Sequence, residues 1–218
     1  MTRVLMALFT LASVSLFLAL AVWGEGGLTA FARVPALIAL AAISYVCAVA
    51  ALFTTGSLSS GEREDRGNRW VLAAFGLIGL AVASLPAWSD RTGFAVFGGT
   101  TVRWIGVALY AGGCALRMVP VFVLGRRFSG LVAIQPDHAL ATDGLYRRVR
   151  HPSYLGMVIL MVGWALVFRS WIGLGLAALT VPILIARMNA EEALLGSQFG
   201  DAYAIYKARS WRLIPWVY

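Results

Sequence analysis

Long apolar runs alternate with short polar intervals along this chain. Residues 4–23 are apolar or small throughout. At about 1.5 Å of helical rise per residue that run covers about 30 Å, one hydrocarbon thickness. Glu25, Gly26 and Gly27 end it, and a second run occupies 34–55 with Pro35 in its first turn, where a missing N–H costs nothing. A third run, 70–88, has Trp70 and Trp88 at its two ends, the pattern of aromatic belts at two interfaces, and Pro86 and Asp90 close it. The fourth, 101–124, contains Pro120 and Arg117, and that arginine is expected to snorkel to the nearer interface rather than point into a polar site. Two shorter runs, 152–168 and 171–186, are joined only by Arg169–Ser170, which predicts an antiparallel hairpin, kinked in its second helix at Pro182. From residue 190 the pattern turns amphipathic. Leu194, Leu195, Phe199, Tyr203 and Tyr206 are expected to rest on the membrane interface while Lys207, Arg209 and Arg212 face headgroups.

Composition turns this pattern into a class. Of 218 residues 60% are hydrophobic and 13% charged, and the mean hydropathy is +0.80; a soluble domain is nearer half apolar and a quarter charged. The expectation is an all-α integral membrane protein of five to six transmembrane helices, the last two a helical hairpin, with residues 1–124 as scaffold and 125–218 as the working region. No A-x-A cleavage site follows the first run, so it reads as a span and not a signal peptide. Thirteen of the 18 Lys and Arg fall with the N-terminus, the 56–69 loop, the stretch after residue 124 and the C-terminus, and four on the opposite side. The first side is therefore expected to be cytoplasmic, at the inner membrane in a bacterium. The formal net charge of +8 suits anionic membrane lipids. Its scatter among loops argues against nucleic acid. Cys47 and Cys114 lie inside apolar runs and read as small buried hydrophobes, with neither a disulfide framework nor a metal site in view. The 56–69 loop reads as solvated surface, and the two halves show no repeat, which weighs against a secondary transporter.

Candidate chemistry gathers in the interval 125–156, GRRFSGLVAIQPDHALATDGLYRRVRHPSYLG, which holds both histidines. Polar irregular backbone between two apolar runs must lie in water, at the surface or around a cavity. Arg150–His151–Pro152 opens the fifth run, and the free N–H groups of that first turn favour an anion such as a carboxylate. Gly156 lets another group approach closely. Glu191 and Glu192 stand at what reads as the end of an apolar helix, where carboxylates are costly unless paired or holding a cation. An ammonium, a pocket arginine, or plain pairing with Arg187 would each satisfy one of them. GxGxxG, GxxxxGK, HExxH and CxxC are absent, and His138 and His151 lack metal-ligand spacing.

RHPSYLG at 150–156, the pair Glu191–Glu192 and FGDAYAIY at 199–206, followed by Pro215, resemble in order and spacing the isoprenylcysteine carboxyl methyltransferase family. The resemblance covers about the last ninety residues. It implies a membrane-embedded methyltransferase that uses S-adenosylmethionine without a Rossmann domain. It implies that Gln135, His138, Leu140, Tyr146, His151, Tyr154, Glu191 and Glu192 surround the cofactor at the cytoplasmic face, with no metal. Arg209 stands where the eukaryotic members carry an arginine near the substrate, and Arg209 or Arg150 would orient an acidic acceptor. Ala204 and Ile205 stand where those members have more polar residues, and this chain has fewer runs. The acceptor implied is lipophilic, a small molecule or a lipidated substrate with a carboxylate or thiol, entering from the bilayer. Two rivals remain open at this point: an NADPH-dependent reductase of sterol or enone type, and a small transporter or lipid-binding protein without activity.

Overall fold

The computed structural model describes residues 3–53, 63–125, 132–134 and 139–218. The helices among these residues are α1 (Arg3–Gly24), α2 (Leu28–Ala32), α3 (Pro35–Leu52), α4 (Trp70–Thr92), α5 (Thr100–Leu124), α6 (Pro152–Val167), α7 (Trp171–Phe199) and α8 (Asp201–Ala208). Two-residue strands β1 (Arg63–Glu64) and β2 (Ala133–Ile134) pair antiparallel, with Arg63 opposite Ile134. α1, α3, α4, α5 and α7 are long and apolar enough to cross a membrane, and α6 is a shorter apolar helix. Leu8, Phe9 and Leu16 of α1 are exposed, as a lipid-facing helix requires. The chain is an all-helical integral membrane protein. The hairpin has the expected form: α6 ends at Val167 and α7 starts at Trp171.

Without a hydrophobic drive between helices in lipid, close packing has to hold the bundle. α5 and α6 make the tightest seam. Gly106 and Gly113 lie against Gly163 and Gly156, and a Cβ at Gly156 would come within 2.6 Å of the backbone nitrogen of Arg117. The group that Gly156 admits is therefore the backbone of α5.

Trp164 of α6 ties this seam to the rest. Its ring packs 4.8 Å from Phe17, 5.8 Å from Tyr110 and 5.2 Å from Phe168. Its Nε1 donates to the carbonyl of Val82 at 2.8 Å. Pro86 lies four residues beyond Val82 and has no N–H to give that carbonyl, so the indole replaces the missing helical bond. Pro86 accordingly sits inside α4, which continues to Thr92 and ends at Gly93 with φ 74. Proline does not close this helix, because tertiary contacts satisfy the carbonyl it leaves free.

The loops sort onto two ends as the Lys/Arg pattern groups them. At one end Asp90, in the last turn of α4, pairs with Arg103 and Arg169, each at 2.6 Å. A carboxylate at a helix C-terminus opposes the macrodipole, and the two guanidinium groups offset that cost. Phe97 N–H donates to the carbonyl of Arg169, and Trp171 N–H to that of Ala95, both at 2.9 Å, so the hairpin tip is fastened to the α4–α5 connection. At the other end β1 pairs with β2, Asp65 N–H donates to Val132 O at 3.0 Å, and Asn68 is buried. The described part of the 56–69 loop is thus docked by its backbone against the central interval, while Gly67 and Arg69 stay exposed as expected of a solvated surface.

α7 departs most from expectation. It runs for 29 residues to Phe199 instead of stopping near 186. Ala190, Glu191, Glu192, Ala193, Leu194 and Leu195 are strong helix formers, and the helix stops only at Gly200, with φ 51. At about 43 Å it exceeds the hydrocarbon thickness, so its last turns leave the membrane.

Candidate functional site

The site lies where the start of α6 meets the protruding turns of α7. Pro152 occupies the first turn of α6 with His151 as its N-cap. Trp211 N–H donates to Arg148 O at 2.7 Å, Arg150 N–H to Trp211 O at 2.8 Å, and His151 N–H to Arg212 O at 3.2 Å. The C-terminal segment therefore runs alongside 148–151 and takes the N–H groups of Arg150 and His151, just ahead of the first turn of α6. Tyr154 N–H likewise donates to the carbonyl of His151 at 3.1 Å.

Glu191 and Glu192 sit inside α7, two turns before its end, so they do not face a helix C-terminus as the apolar pattern suggested. Glu192 is buried at the centre of a knot of cations. Its Oε1 lies 3.2 Å from Arg150 Nε and 3.2 Å from His151 Nε2. Its Oε2 lies 3.1 Å from Lys207 Nζ. Arg212 Nε approaches Oε1 to 3.2 Å as a charge contact that lacks hydrogen-bond alignment. Arg150 Nη1 also donates to the carbonyls of Lys207 and Ser210. One carboxylate thus joins α6, α7, α8 and the C-terminal segment.

Glu191 has a different setting, with 36% of its side chain exposed. Its Oε2 accepts from the Tyr154 hydroxyl at 2.7 Å and lies 3.9 Å from His151 Nδ1. The two carboxylates flank one imidazole, one at each nitrogen. His151 is 4% exposed, and its ring stacks on Tyr154 at 5.4 Å with 25° between planes. Arg187 Nε donates to the same Tyr154 oxygen at 2.9 Å. Arg117 Nη1 donates to Ser153 Oγ at 2.6 Å. The snorkelling expected of Arg117 gives way to a polar partner in α6, reached because the glycine seam brings α5 and α6 together.

Tyr146 lies half-buried at the edge of this group. Its phenol is pushed above the usual range by burial and by the nearby Glu191 charge, and its carbonyl accepts from Tyr206 at 2.8 Å. Burial likewise pushes the Tyr206 phenol up to about 12. Leu140 is half-buried in the preceding segment. Tyr203 and Tyr206 are buried, not resting on the membrane interface as expected, and the Tyr203 hydroxyl is enclosed without a partner. Arg209 is exposed at the end of α8 and makes no ion pair among the described residues. Gln135 and His138 lie outside the described residues. Arg187 and Ser153 were not singled out as site residues from the sequence. The available signal was a charge inside an apolar run, which marks function by default, and it applied to Arg117 as well.

Residues 104–197 match the sequence profile of the isoprenylcysteine carboxyl methyltransferase (ICMT) family. Over these residues the chain is similar to this family. The matched region includes the α5–α6 seam, the RHPSYLG turn, Arg187 and both glutamates. The chain is 37% identical over 97 residues to the protein-S-isoprenylcysteine O-methyltransferase of Schizosaccharomyces pombe, covering 43% of this chain and 41% of that protein. It is 29% identical over 144 residues to the enzyme of that name from Dictyostelium discoideum, covering 64% and 60%. These matches thus span about half the length of the two relatives. The solved structure of a eukaryotic intramembrane Ras methyltransferase ICMT has the same fold, with a TM-score of 0.57 at 19% identity over 95% of this chain and 75% of the other. Among the described residues no group of His, Cys, Asp and Glu is arranged to hold a metal ion.

Proposed function

We propose that this chain transfers a methyl group from S-adenosylmethionine to the carboxylate of a lipophilic, isoprenylcysteine-like acceptor that reaches the site from the bilayer. The observation that carries this reading is the placement of Arg117 and Arg187. Arg117 Nη1 donates to Ser153 Oγ and Arg187 Nε to the Tyr154 hydroxyl, so two guanidinium groups from neighbouring helices reach the first turn of α6, beside an accessible carboxylate. Ionisable groups at that depth mark a place where a charged group can be received. A planar carboxylate suits arginine better than any other common anion of that size.

The donor set fits the cofactor. Glu191, partly exposed, has a carboxylate free to take an ammonium beside its bond from Tyr154. Tyr146 and Leu140 offer aromatic and apolar surface for an adenine. The enclosed Tyr203 hydroxyl has hydrogen-bonding capacity to spare. When bound, S-adenosylmethionine supplies an electrophilic methyl on a sulfonium. Glu192, saturated by the protein's own cations, holds the C-terminal segment over the site and orients His151 through Nε2. Arg150 is committed to that knot. The role of orienting the acceptor, assigned from the sequence to Arg150 and Arg209, therefore passes in this reading to Arg117 and Arg187. A carboxylate is ionised at neutral pH and needs no general base. The residues of the chain contribute alignment and exclusion of water, the latter through the closed α5–α6 seam.

The Lys/Arg bias puts this end of the bundle, with both termini, on the cytoplasmic side, where the cofactor is made. A cysteine replacing Asp201 would then react only with reagent on that side.

The test uses the full chain in lipid nanodiscs with methyl-labelled S-adenosylmethionine and an N-acylated S-farnesylcysteine. Base-labile label in the lipid product, lost with the carboxamide analogue of the acceptor and with Arg117→Gln, supports the reading. Absence of labelled ester with the parent, despite calorimetric binding of S-adenosylhomocysteine, would remove the acceptor assignment. Binding of NADPH in place of S-adenosylhomocysteine would remove the whole reading.

A further inference from the structure

The C-terminal segment shows one surface that the proposed chemistry leaves unexplained. After α8 the chain lies beside 148–151 and then closes a small hook. Leu213 N–H and Ile214 N–H both donate to Tyr218 O, at 2.8 and 2.9 Å, and Val217 N–H donates to Ile214 O at 3.1 Å. Leu213 points inward against Leu184 and Met188. The remaining apolar side chains point out: Trp216 is 81% exposed and Val217 75%, with Trp211 and Ile214 also exposed. Trp216 stands at the tip with φ 65, a conformation that side-chain-bearing residues rarely adopt.

The level of the hook follows from helix lengths. α6 has 16 residues, so it rises about 24 Å, less than the hydrocarbon thickness of about 30 Å. Its far end is fixed at the hairpin tip, where Arg103 and Arg169 hold Asp90. Counted from there, Pro152 does not rise beyond the near headgroup region. The pairing of Val149 with Trp211, directly before Pro152, holds the hook at headgroup height and not out in water. Around it Arg147, Arg148 and Arg209 are exposed, against Asp143 and Asp201, so the surround is positive.

We propose that the hook is a membrane-seated clasp. Trp211, Ile214, Trp216 and Val217 enter the headgroup–acyl boundary of the same bilayer, and Arg147, Arg148 and Arg209 take anionic phospholipid headgroups. Tryptophan is the residue that best occupies this depth, and basic residues beside it add attraction for anionic lipid. Because Arg212 and Lys207 reach from this segment to Glu192, seating the hook in lipid also holds the cation knot closed. The inference rests on depth and charge and stands apart from the methyl-transfer reading.

The test places single cysteines at Trp216, at Val217 and, as a water-facing control, at Asp201, in the full chain carrying Cys47→Ala and Cys114→Ala. Each is labelled with an environment-sensitive fluorophore. Nanodiscs are made of phosphatidylcholine alone or mixed with phosphatidylglycerol. Nitroxide on the lipid headgroup should quench the labels at 216 and 217 severalfold more than the label at 201, and aqueous acrylamide should do the reverse. Phosphatidylglycerol should strengthen the lipid quenching, and Arg147→Gln with Arg209→Gln should abolish that increment. Acrylamide reaching 216 and 217 as freely as 201 overturns the proposal. Shielding from acrylamide without lipid quenching also overturns it, and assigns the face to a second copy of the chain. An equal response in both lipid mixtures overturns the headgroup assignment. Agreement between 216 and 217 guards against one label disturbing the hook.

Discussion

The Tyr154 hydroxyl donates to Glu191 Oε2 at 2.7 Å while accepting from Arg187 Nε at 2.9 Å, so one phenol fixes a carboxylate and a guanidinium together. Tyr154→Phe keeps the ring stacked on His151 and removes only the oxygen that joins the two charges. A hydrogen bond to a charged group contributes about 1.5–3 kcal/mol. Affinity for S-adenosylhomocysteine should therefore fall by about tenfold or more, with little change in thermal midpoint. Calorimetric titration in one detergent decides it; parent-like affinity for Tyr154→Phe would detach this tyrosine from the cofactor.

The two adjacent glutamates should behave differently when neutralised. Glu191→Gln removes a partly exposed charge and should weaken cofactor binding by about tenfold while leaving the bundle intact. Glu192→Gln leaves Arg150, Lys207 and Arg212 facing one another around a neutral amide. Breaking a buried ion pair costs on the order of 3 kcal/mol, so this variant should melt earlier and its C-terminal segment should be cut faster by trypsin. A stable Glu192→Gln that fails to bind cofactor, beside a Glu191→Gln that binds normally, would exchange the two roles.

The apolar runs, the hairpin tip at Arg169–Ser170 and the helix start at Pro152 were legible because each rests on local chemistry: run length, turn length and a missing N–H. The end of α7 was not legible, since Glu191 and Glu192 interrupt the apolar pattern without interrupting helix propensity. The cation knot was legible only as isolated residues. Glu192 draws Arg150 from 42 positions upstream, Lys207 from the next helix and Arg212 from beyond it, and no periodicity encodes such a meeting. Tyr203 and Tyr206 have the i, i+3 spacing of an interfacial face, but that face packs inward, and Ile205 and Trp216 face out. Gln135 and His138 fall outside the described residues, so their part in the pocket stays with the family resemblance.

Trp164 should matter through its nitrogen as well as its bulk. Trp164→Phe retains an aromatic ring among Phe17, Tyr110 and Phe168 but strips the donor from the Val82 carbonyl, which Pro86 cannot satisfy. A buried carbonyl left alone costs about 1–3 kcal/mol. The expected outcome is a lower thermal midpoint that Pro86→Ala partly restores, because alanine returns an N–H four residues on. If Pro86→Ala gives the same change in the parent and in Trp164→Phe, the two sites are independent and the account of the proline is wrong.

Glu25 supplies the pH dependence. It follows the last turn of α1, is 6% exposed, and has Oε1 enclosed without a partner. Burial first, and the neighbouring Asp90 second, raise its carboxyl from 4.5 to about 8, against the lowering influence of Arg103 and Arg169. At neutral pH Glu25 is therefore protonated in the folded protein, whereas an exposed glutamate would be ionised. Between these two values the folded state binds the extra proton, so stability falls as pH rises. The contribution is complete below the ordinary carboxyl value, declines by at most about 1.4 kcal/mol per pH unit, and is gone above about 8. Glu25→Gln keeps the shape and cannot ionise, so it should flatten the profile and stabilise the protein most at the alkaline end. The measurement is the thermal midpoint of parent and variant in one detergent, from about pH 5 to about pH 9. Parallel profiles would mean that Glu25 is ionised in the folded bundle, held by Arg103 and Arg169.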